Sequence, residues 1–178
     1  MISGNNITQY KKIYDLPELA YEEHVSGDFF EFYKKKHSFV IVSIYNPKKE
    51  YLLLRDFNKA IGWELPGGHI NEHESLEEAI NRIVLDETGL EIDELSPVAI
   101  IRNIFKYRGQ VIIHSGIAFM ALSRGRIAPY PKNIQACFTR NIPEKVAYQD
   151  DKILSLVKQR LDTKKHPPPF AEIDSVKS

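Results

Sequence analysis

Two adjacent carboxylates, Asp86 and Glu87, are the residues whose types and position in this sequence best suit chemistry. They fall in the last turn of a helix that the sequence predicts over residues 75–87, where they face the negative end of the helix dipole. Glu87 also lies on the apolar stripe of this helix, where an unpaired carboxylate is costly to desolvate. Either a cation, such as a metal ion or Arg82, balances this charge, or the last turn frays and Glu87 reaches water.

The helix that positions these carboxylates is recognised by its ends and by its apolar face. Ser75 and Glu78 form a capping-box pattern at its start, and Gly89 suits the residue that follows its last turn. Glu78 also lies four residues before Arg82, a spacing that favours an ion pair. The apolar stripe of the helix comprises Leu76, Ala79, Ile80, Ile83 and Val84.

The loop before the helix carries a longer pattern. A Trp-Glu-Leu-Pro-Gly-Gly run ends at Gly68, five residues separate Gly68 from Glu74, and seven separate Glu74 from Arg82. From Arg82 the chain continues Arg-Ile-Val-Leu-Asp-Glu-Thr-Gly-Leu. This stretch resembles the Nudix box, in which a glycine, five residues, a glutamate and seven residues precede REUxEExGU, where U is a bulky apolar residue.

The resemblance implies a cofactor and a set of site residues. Nudix proteins use a divalent cation, here expected to be Mg²⁺ or Mn²⁺, with Glu87, Asp86 and the Gly67 backbone carbonyl as ligands. Oxygen ligands shared between carboxylates and substrate phosphates suit Mg²⁺. Arg82 is expected to orient the acidic cluster. The backbone of Gly67 and Gly68, which lacks a Cβ, is expected to approach the substrate closely.

The sequence departs from the family pattern within the helix. Ile83 stands where the family has its first glutamate, and Asp86 replaces the second, so that only Glu87 is unchanged. Two carboxylates favour one bound metal ion over a cluster of ions. The apolar residue after the arginine is similar to that of GDP-mannose mannosyl hydrolase, a Nudix relative that displaces the diphosphate at the sugar carbon and uses a histidine base.

A catalytic base is expected in the loop before the last helix, where members of the family place one. Residues 143–151 contain no histidine but include Glu144, Asp150 and Asp151. We predict Glu144 as the base, with an ordinary turn residue as the alternative. Asp150 and Asp151 are expected to begin the last helix.

These residues together predict hydrolysis of a nucleoside diphosphate that is linked to a sugar or to a further phosphate. A carboxylate base suits a metal-activated water, which favours attack at phosphorus over attack at the sugar carbon. The alternatives are the sugar-cleaving reaction and a non-catalytic nucleotide-binding module that kept the fold after losing the acid at position 83. In each case the expected partner is a small-molecule nucleotide.

Several side chains outside the box are weaker candidates. Arg55 is predicted to bind substrate by phosphate pairing or stacking, with ordinary packing as the alternative. His69 and His73 flank the box and are expected in a solvated loop, with phosphate contact as the alternative. His114 is expected either to be structural or to line the cleft. Aromatic residues that would shape a nucleoside pocket, or simply pack, are Trp63, Phe105 and Tyr107.

The rest of the chain predicts an α+β fold, which the family resemblance specifies as an α/β/α sandwich with a mixed sheet. We expect an N-terminal extension over residues 1–37, a Nudix domain over residues 38–162 and a flexible tail over residues 163–178. Short strands are predicted in the extension at Ile13-Tyr14 and at Phe29–Tyr33. Elements predicted within the domain are strands at 39–45, 51–55, 98–107, 111–122 and 134–139, and a last helix at 149–161.

Length and composition narrow the class of protein. The 178 residues suit one domain, and 24 basic residues balance 24 acidic ones, which argues against a nucleic-acid-binding protein. Cys137 is the only cysteine, so no intrachain disulfide can form and a reducing cytoplasm is expected. The sequence lacks signal-peptide and membrane-spanning patterns, so no membrane partner is expected. The N-terminal extension could serve a homodimer.

Overall fold

The computed structural model describes residues 4–36, 38–59, 62–128, 130 and 134–163. Four helices and seven strands are formed by these residues. In chain order they are α1 (Gly4–Tyr14), β1 (Glu18–His24), α2 (Gly27–Lys34), β2 (Ser38–Tyr45), β3 (Tyr51–Asp56), β4 (Gly67–His69), α3 (Leu76–Thr88), β5 (Glu91–Tyr107), β6 (Gln110–Arg124), β7 (Ile134–Thr139) and α4 (Asp150–Thr163).

The strands form one mixed sheet in the order β1-β5-β6-β2-β3-β7, and β4 pairs with β2. β1 is parallel to β5 and β2 is parallel to β6, whereas the other pairs are antiparallel. Successive side chains of a strand point to opposite faces of the sheet. Val40 and Val42 therefore pack in one core with α1 and α3, while Phe39 packs in a second core with α4. Helices cover both faces, which confirms the predicted α/β/α sandwich.

The strands predicted within the domain are all present. β2 and β3 pair as an antiparallel hairpin, and β7 has the predicted ends. β5 begins earlier than predicted because the ladder with β6 shifts register between Ile92 and Glu94 and between Pro97 and Ala99. Such irregularities let a strand continue through a proline, which cannot complete a regular ladder.

Helix α3 begins and ends where the sequence predicts. The Ser75 Oγ accepts a hydrogen bond from the Glu78 N–H at 3.1 Å, and the Glu78 Oε2 accepts one from the Ser75 N–H at 2.8 Å. These two bonds form the predicted capping box. Gly89 follows the helix with a φ of 68°, a left-handed conformation that favours glycine. The apolar stripe of α3 is buried in the first core.

The short strands predicted in the N-terminal segment are wrong. Phe29–Tyr33 lies within α2, because the Ser26 Oγ accepts a hydrogen bond from the Phe29 N–H at 3.3 Å and caps a helix there. Ile13 and Tyr14 end α1. The strand of this segment is β1, which adds an edge to the common sheet beside β5. The domain boundaries at residues 38 and 162 stay predictions.

The flexible tail predicted from residue 163 onwards lies, apart from Thr163 itself, outside the described residues. Within the described ranges, none of the four helices combines the length and the apolar character that crossing a membrane would need.

Candidate active site

The carboxylate of Glu87 is held against the glycine pair of the preceding loop. Its Oε2 accepts a hydrogen bond from the Gly67 N–H at 3.2 Å. Burial raises the pKa of Glu87 to about 7, the Gly67 hydrogen bond opposes this rise, and the nearby negative charge of Glu64 adds to it. The Tyr130 hydroxyl donates a hydrogen bond to the backbone carbonyl of Glu87. The last turn of α3 is therefore fixed by partners on both its backbone and its side chain, which argues against fraying.

An acidic cavity of about 410 Å³ lies in front of Glu87. Asp86, which is exposed at the surface of α3, shares its lining with Glu87, Glu64 and Gly67. Lys59 also lines it and pairs with Glu64 at 2.9 Å. Most charges around this space are negative, so a cation placed in it would be stabilised.

The glycine pair allows two close approaches that a side chain would block. A Cβ on Gly67 would lie 2.9 Å from the Val40 carbonyl oxygen, so β4 could not pair as closely with β2. A Cβ on Gly68 would lie 3.2 Å from the Ile83 side chain. Glycine at both positions therefore keeps the loop close to the sheet on one side and to α3 on the other.

The hydrogen bonds of Arg82 go to the loop before α3, not to the carboxylates of Asp86 and Glu87. Its Nε donates to the Glu74 Oε1 at 2.5 Å, and its Nη2 donates to the Glu74 Oε2 at 2.8 Å and to the His69 carbonyl at 3.0 Å. The expected ion pair with Glu78 is wrong, because the capping box engages that carboxylate. Arg82 thus joins the helix to the box glutamate Glu74, and its positive charge also interacts with Asp86 and Glu87. Its predicted role in orienting the acidic cluster stays a prediction.

Ile83 occupies the core, as its position on the apolar stripe predicts. Its side chain is 3% exposed and packs with the stripe of α3.

Among the described residues, no three His, Cys, Asp or Glu side chains are grouped closely enough to hold a metal ion by themselves. The chemistry of the donors still fits Mg²⁺ or Mn²⁺, because the groups around the cavity are carboxylate and backbone oxygens. Two carboxylates would share such an ion with the oxygens of a bound phosphate.

Glu144, in the loop before α4, and Asp150, at the start of α4, lie in very different surroundings. Glu144 is exposed and lines neither the acidic cavity nor the second cavity described below. Asp150 begins α4, as predicted, and is only 4% exposed. Its Oδ2 accepts a hydrogen bond from the Leu65 N–H at 2.8 Å, and burial raises its pKa to about 7. Its spacing to Ile153 and Leu154 places it on the apolar face of α4, a pattern from which its burial could have been predicted.

A second cavity, of about 230 Å³, shares Glu64, Leu65 and Gly67 of its lining with the acidic cavity. His69 and His114 line it with their ring centroids 5.1 Å apart. The expectation of a solvated loop is therefore wrong for His69, because α2 packs aromatic side chains against it. His73, in contrast, is exposed as expected, with 84% of its side chain accessible. His114 is buried and lines the cavity.

Arg55 lines neither cavity, although its neighbours Leu54 and Asp56 line the acidic one. Its side chain is exposed and stacks over the rings of Phe57 and Trp63, with centroid distances of 5.0 and 6.0 Å. Phe105 lines the second cavity, whereas Trp63 and Tyr107 line neither of the two cavities. Substrate binding by Arg55 stays a prediction.

Solved structures similar to this chain share its fold. A MutT Nudix hydrolase from Burkholderia pseudomallei matches with 16% identity, over 67% of this chain and 96% of that chain, at a TM-score of 0.57. The NUDIX domain of Shewanella oneidensis NrtR, solved with ADP ribose, matches with 16% identity. The match covers 77% of this chain and 99% of that chain, at a TM-score of 0.56. A mutant form of the Bacillus subtilis pyrophosphohydrolase BsRppH matches with 20% identity. The match covers 72% of this chain and 82% of that chain, at a TM-score of 0.54.

The sequence comparison addresses the family itself. A sequence model of the NUDIX domain matches residues 34–139, more than half of the chain. This range contains the glycine pair, the loop held by Arg82 and the whole of α3. The chain therefore belongs to the Nudix family, which hydrolyses pyrophosphate bonds.

Proposed function

We propose that the protein is an Mg²⁺- or Mn²⁺-dependent hydrolase of a nucleoside diphosphate linked to a sugar or to a further phosphate. The observation that carries this proposal is the Glu87 carboxylate, which is bound to the Gly67 amide and faces an acidic cavity. Burial and neighbouring negative charges raise the pKa of Glu87 to about 7, so its ionised form needs a cation. ADP ribose, bound by the Shewanella NUDIX domain, is one compound of the proposed class.

Each residue of the proposed site has a separate role. Glu87 and Asp86 hold the metal ion, together with the Gly67 backbone carbonyl. Arg82 positions the loop through Glu74 and the His69 carbonyl. Gly67 and Gly68 let the backbone approach the diphosphate. When bound, the metal ion neutralises charge on the phosphates and lowers the pKa of water.

The proposed reaction is attack of water at phosphorus. Glu144 is the base predicted from the sequence, and its exposed carboxylate is accessible to water. Asp150 is the competing candidate, since it is buried beside the loop with a pKa near neutrality. Hydrolysis of a nucleotide sugar in ¹⁸O-labelled water tests the bond that breaks. Label on a nucleotide or sugar phosphate supports attack at phosphorus, whereas label on the free sugar refutes it.

Variants at the two positions distinguish the two candidate bases. If Glu144 is the base, Glu144→Gln should lower kcat by at least about 100-fold, the lower end of the usual contribution of general base catalysis. Asp150→Asn should then leave kcat within a few-fold of wild type. The reverse pattern would transfer the role to Asp150.

A substrate panel tests the function as a whole. Nucleotide sugars, dinucleotides and nucleoside triphosphates are incubated with Mg²⁺ or Mn²⁺, and released phosphate is measured after phosphatase coupling. Glu87→Gln should abolish turnover, while Glu77→Gln, an exposed position on the same helix, should not. Turnover that survives in Glu87→Gln would contradict the proposed site.

A non-catalytic nucleotide-binding module is the second candidate, and the buried Ile83 is the observation that favours it. Ile83 can neither bind a metal ion nor accept a proton. Nucleotide binding without turnover of any compound in the panel would support this alternative.

We also propose that the protein acts in the cytoplasm, on small molecules and not on nucleic acid. Its single cysteine needs no oxidising compartment, and its balanced charge provides no basic excess for phosphate backbones. A homodimer through the N-terminal segment stays a proposal, which sedimentation equilibrium would test.

A further inference from the structure

Lys59 is the single cation that lines the acidic cavity among the residues the structure describes. Four carboxylates line the same space, those of Asp56, Glu64, Asp86 and Glu87. When all five groups are ionised, the negative charges exceed the positive charge by three. One divalent cation leaves a negative excess, and a diphosphate adds further negative charge. A positive group beside the diphosphate therefore favours its binding in this cavity.

A turn at the end of β3 fixes the backbone of Lys59. The Asp56 carbonyl accepts a hydrogen bond from the Lys59 N–H at 3.0 Å, and the Asp56 Oδ1 accepts one from the Asn58 N–H at 2.9 Å. Aspartate favours such turns, because its side chain bonds to the backbone two residues on. Just before the turn, Leu54 exchanges backbone hydrogen bonds of 2.9 and 2.8 Å with Glu64. Local structure thus brings Lys59 and Glu64 together beside the cavity that both line.

The ion pair with Glu64 engages only part of the Lys59 ammonium group. The Lys59 Nζ donates to the Glu64 Oε1 at 2.9 Å, and 51% of the lysine side chain is accessible. An ammonium group has three N–H donors, so two of them have no partner among the described residues. The hydrogen bond with Glu64 raises the pKa of Lys59, and the charges of Asp56 and Glu87 add to this rise. Lys59 therefore has both charge and free donors for a ligand.

The arginines of this region do not supply the same contact. The hydrogen bonds of Arg82 go to the loop before α3, and its side chain does not line the cavity. Arg55 stacks over the ring of Phe57 and lines neither cavity. Within the described part of the chain, Lys59 is thus the cation placed to meet a phosphate in front of Glu87.

We infer that Lys59 is a substrate-binding residue, whose ammonium group donates to a phosphate oxygen of the diphosphate. The inference rests on the proposed function, because it places the diphosphate in the acidic cavity beside Glu87. A lysine binds phosphate as a point charge on a flexible stem, so Lys59 can contact the diphosphate and stay near Glu64. Lys59 also precedes the sequence pattern that begins at Trp63, so the pattern assigns it no role.

The competing interpretation is that Lys59 only holds Glu64 in place. A half-exposed ion pair contributes little to stability. If Lys59 acts through Glu64 alone, removing either charge should weaken diphosphate binding to the same extent. If Lys59 binds phosphate, the two changes should differ in sign, because one removes a positive charge and the other a negative charge.

The test measures binding of methylenediphosphonate, in which a P–C–P unit replaces the P–O–P bridge and resists hydrolysis. It is titrated into the full chain by calorimetry at a fixed excess of Mg²⁺. Lys59→Met should raise its Kd at least about tenfold, because a charged hydrogen bond is lost. Lys59→Arg keeps the charge and should stay within about threefold of wild type. Glu64→Gln should leave the Kd unchanged or lower it.

A titration with Mg²⁺ alone gives a readout that a structural role would not reproduce. Lys59→Met removes a positive charge from an acidic cavity, so the Kd for Mg²⁺ should stay unchanged or fall. A general disturbance of the site would instead weaken both Mg²⁺ and methylenediphosphonate, and this outcome would overturn the inference.

Lys11→Met is the matched control. Lys11 pairs with Glu18 at 3.0 Å and has 45% of its side chain accessible, but it lines neither cavity. Its replacement should leave both Kd values unchanged. If Lys59→Met does not fold, Lys59→Gln takes its place with the same expected result. Undetectable binding of methylenediphosphonate in wild type, unchanged binding in Lys59→Met, or equal weakening in Lys59→Met and Glu64→Gln would each overturn the inference.

Hydrolysis separates this inference from the proposed function. Turnover of the substrate panel by wild type, with methylenediphosphonate binding unchanged in Lys59→Met, would overturn the inference and leave the hydrolase standing. Binding of methylenediphosphonate that depends on Lys59, without turnover of any compound in the panel, would overturn the hydrolase and leave Lys59 as a diphosphate-binding residue.

Discussion

Replacing Ile83 by glutamate restores the acid that the family pattern has at this position, and the structure sets its cost. Ile83 is 3% exposed and lies against the glycine pair, with its Cδ1 3.2 Å from where a Cβ on Gly68 would be. Burying an isoleucine side chain contributes about 1.5–3 kcal/mol, and a buried carboxylate adds a desolvation penalty. Without a divalent cation, Ile83→Glu should therefore lower the free energy of unfolding by roughly 3 kcal/mol.

The same substitution should gain stability from a metal ion. We expect a carboxylate so close to the loop to reach the ion that is proposed to bind at Glu87 and Gly67. At 100 times its Kd, a bound ion adds about 2.7 kcal/mol to the free energy of unfolding. Urea denaturation with and without Mg²⁺ measures both effects, and the hydrolysis rate of a simple pyrophosphate compound should rise in the variant.

Ile80→Glu is the matched control for this experiment. Ile80 is fully buried on the same face of α3, about one turn earlier, and unlike Ile83 it has no atom within 4 Å of where a Cβ on Gly68 would be. Its replacement should destabilise the protein without additional gain from Mg²⁺. If Ile83→Glu is more stable than wild type and no faster, or if Mg²⁺ affects both variants equally, the placement of position 83 beside the metal site is refuted.

Three further predictions concern the carboxylates and the arginine of the site. Glu87→Gln should weaken Mg²⁺ or Mn²⁺ binding at least about tenfold, or about 1.4 kcal/mol; unchanged affinity in titration calorimetry would remove Glu87 from the site. The folded-state pKa of Asp150, about 7, lies above the unfolded value of about 3.9, so its ionisation makes the wild type lose stability as pH rises between them. Asp150→Asn should match wild type near pH 4 and exceed it at pH 8 in urea denaturation; identical pH profiles would contradict this. Arg82→Lys cannot reproduce the paired bonds to Glu74 and should reduce kcat/KM about tenfold, with an unchanged rate as the contrary result.

The sequence predicted α3 and its surroundings well because their signals are local. Capping residues lie three positions apart, and the glycine after the helix adopts the conformation that glycine favours. The burial of Ile83 followed from the 3.6-residue period of the apolar stripe. Such features depend on neighbours along the chain, so they are visible without knowledge of the fold.

The N-terminal segment was predicted less well because its structure depends on distant partners. The aromatic run of residues 29–33 has high strand propensity, yet Ser26 caps a helix there. β1 pairs with β5, about 80 residues later in the chain, and a parallel partner leaves no turn between them as a signal. The partial burial of His69 has the same origin, since two of the rings that pack against it come from α2.

The short segment Leu65-Pro66-Gly67 is tied to both layers of helices. Glu87 on α3 accepts a hydrogen bond from the Gly67 N–H, and Asp150 on α4 accepts one from the Leu65 N–H. These helices pack on opposite faces of the sheet. The loop can therefore reach its final geometry only after both helices have docked, so the site should be among the last parts of the molecule to become ordered during folding. Mutations that loosen either helix, even far from the cavities, should then reduce activity before they unfold the protein.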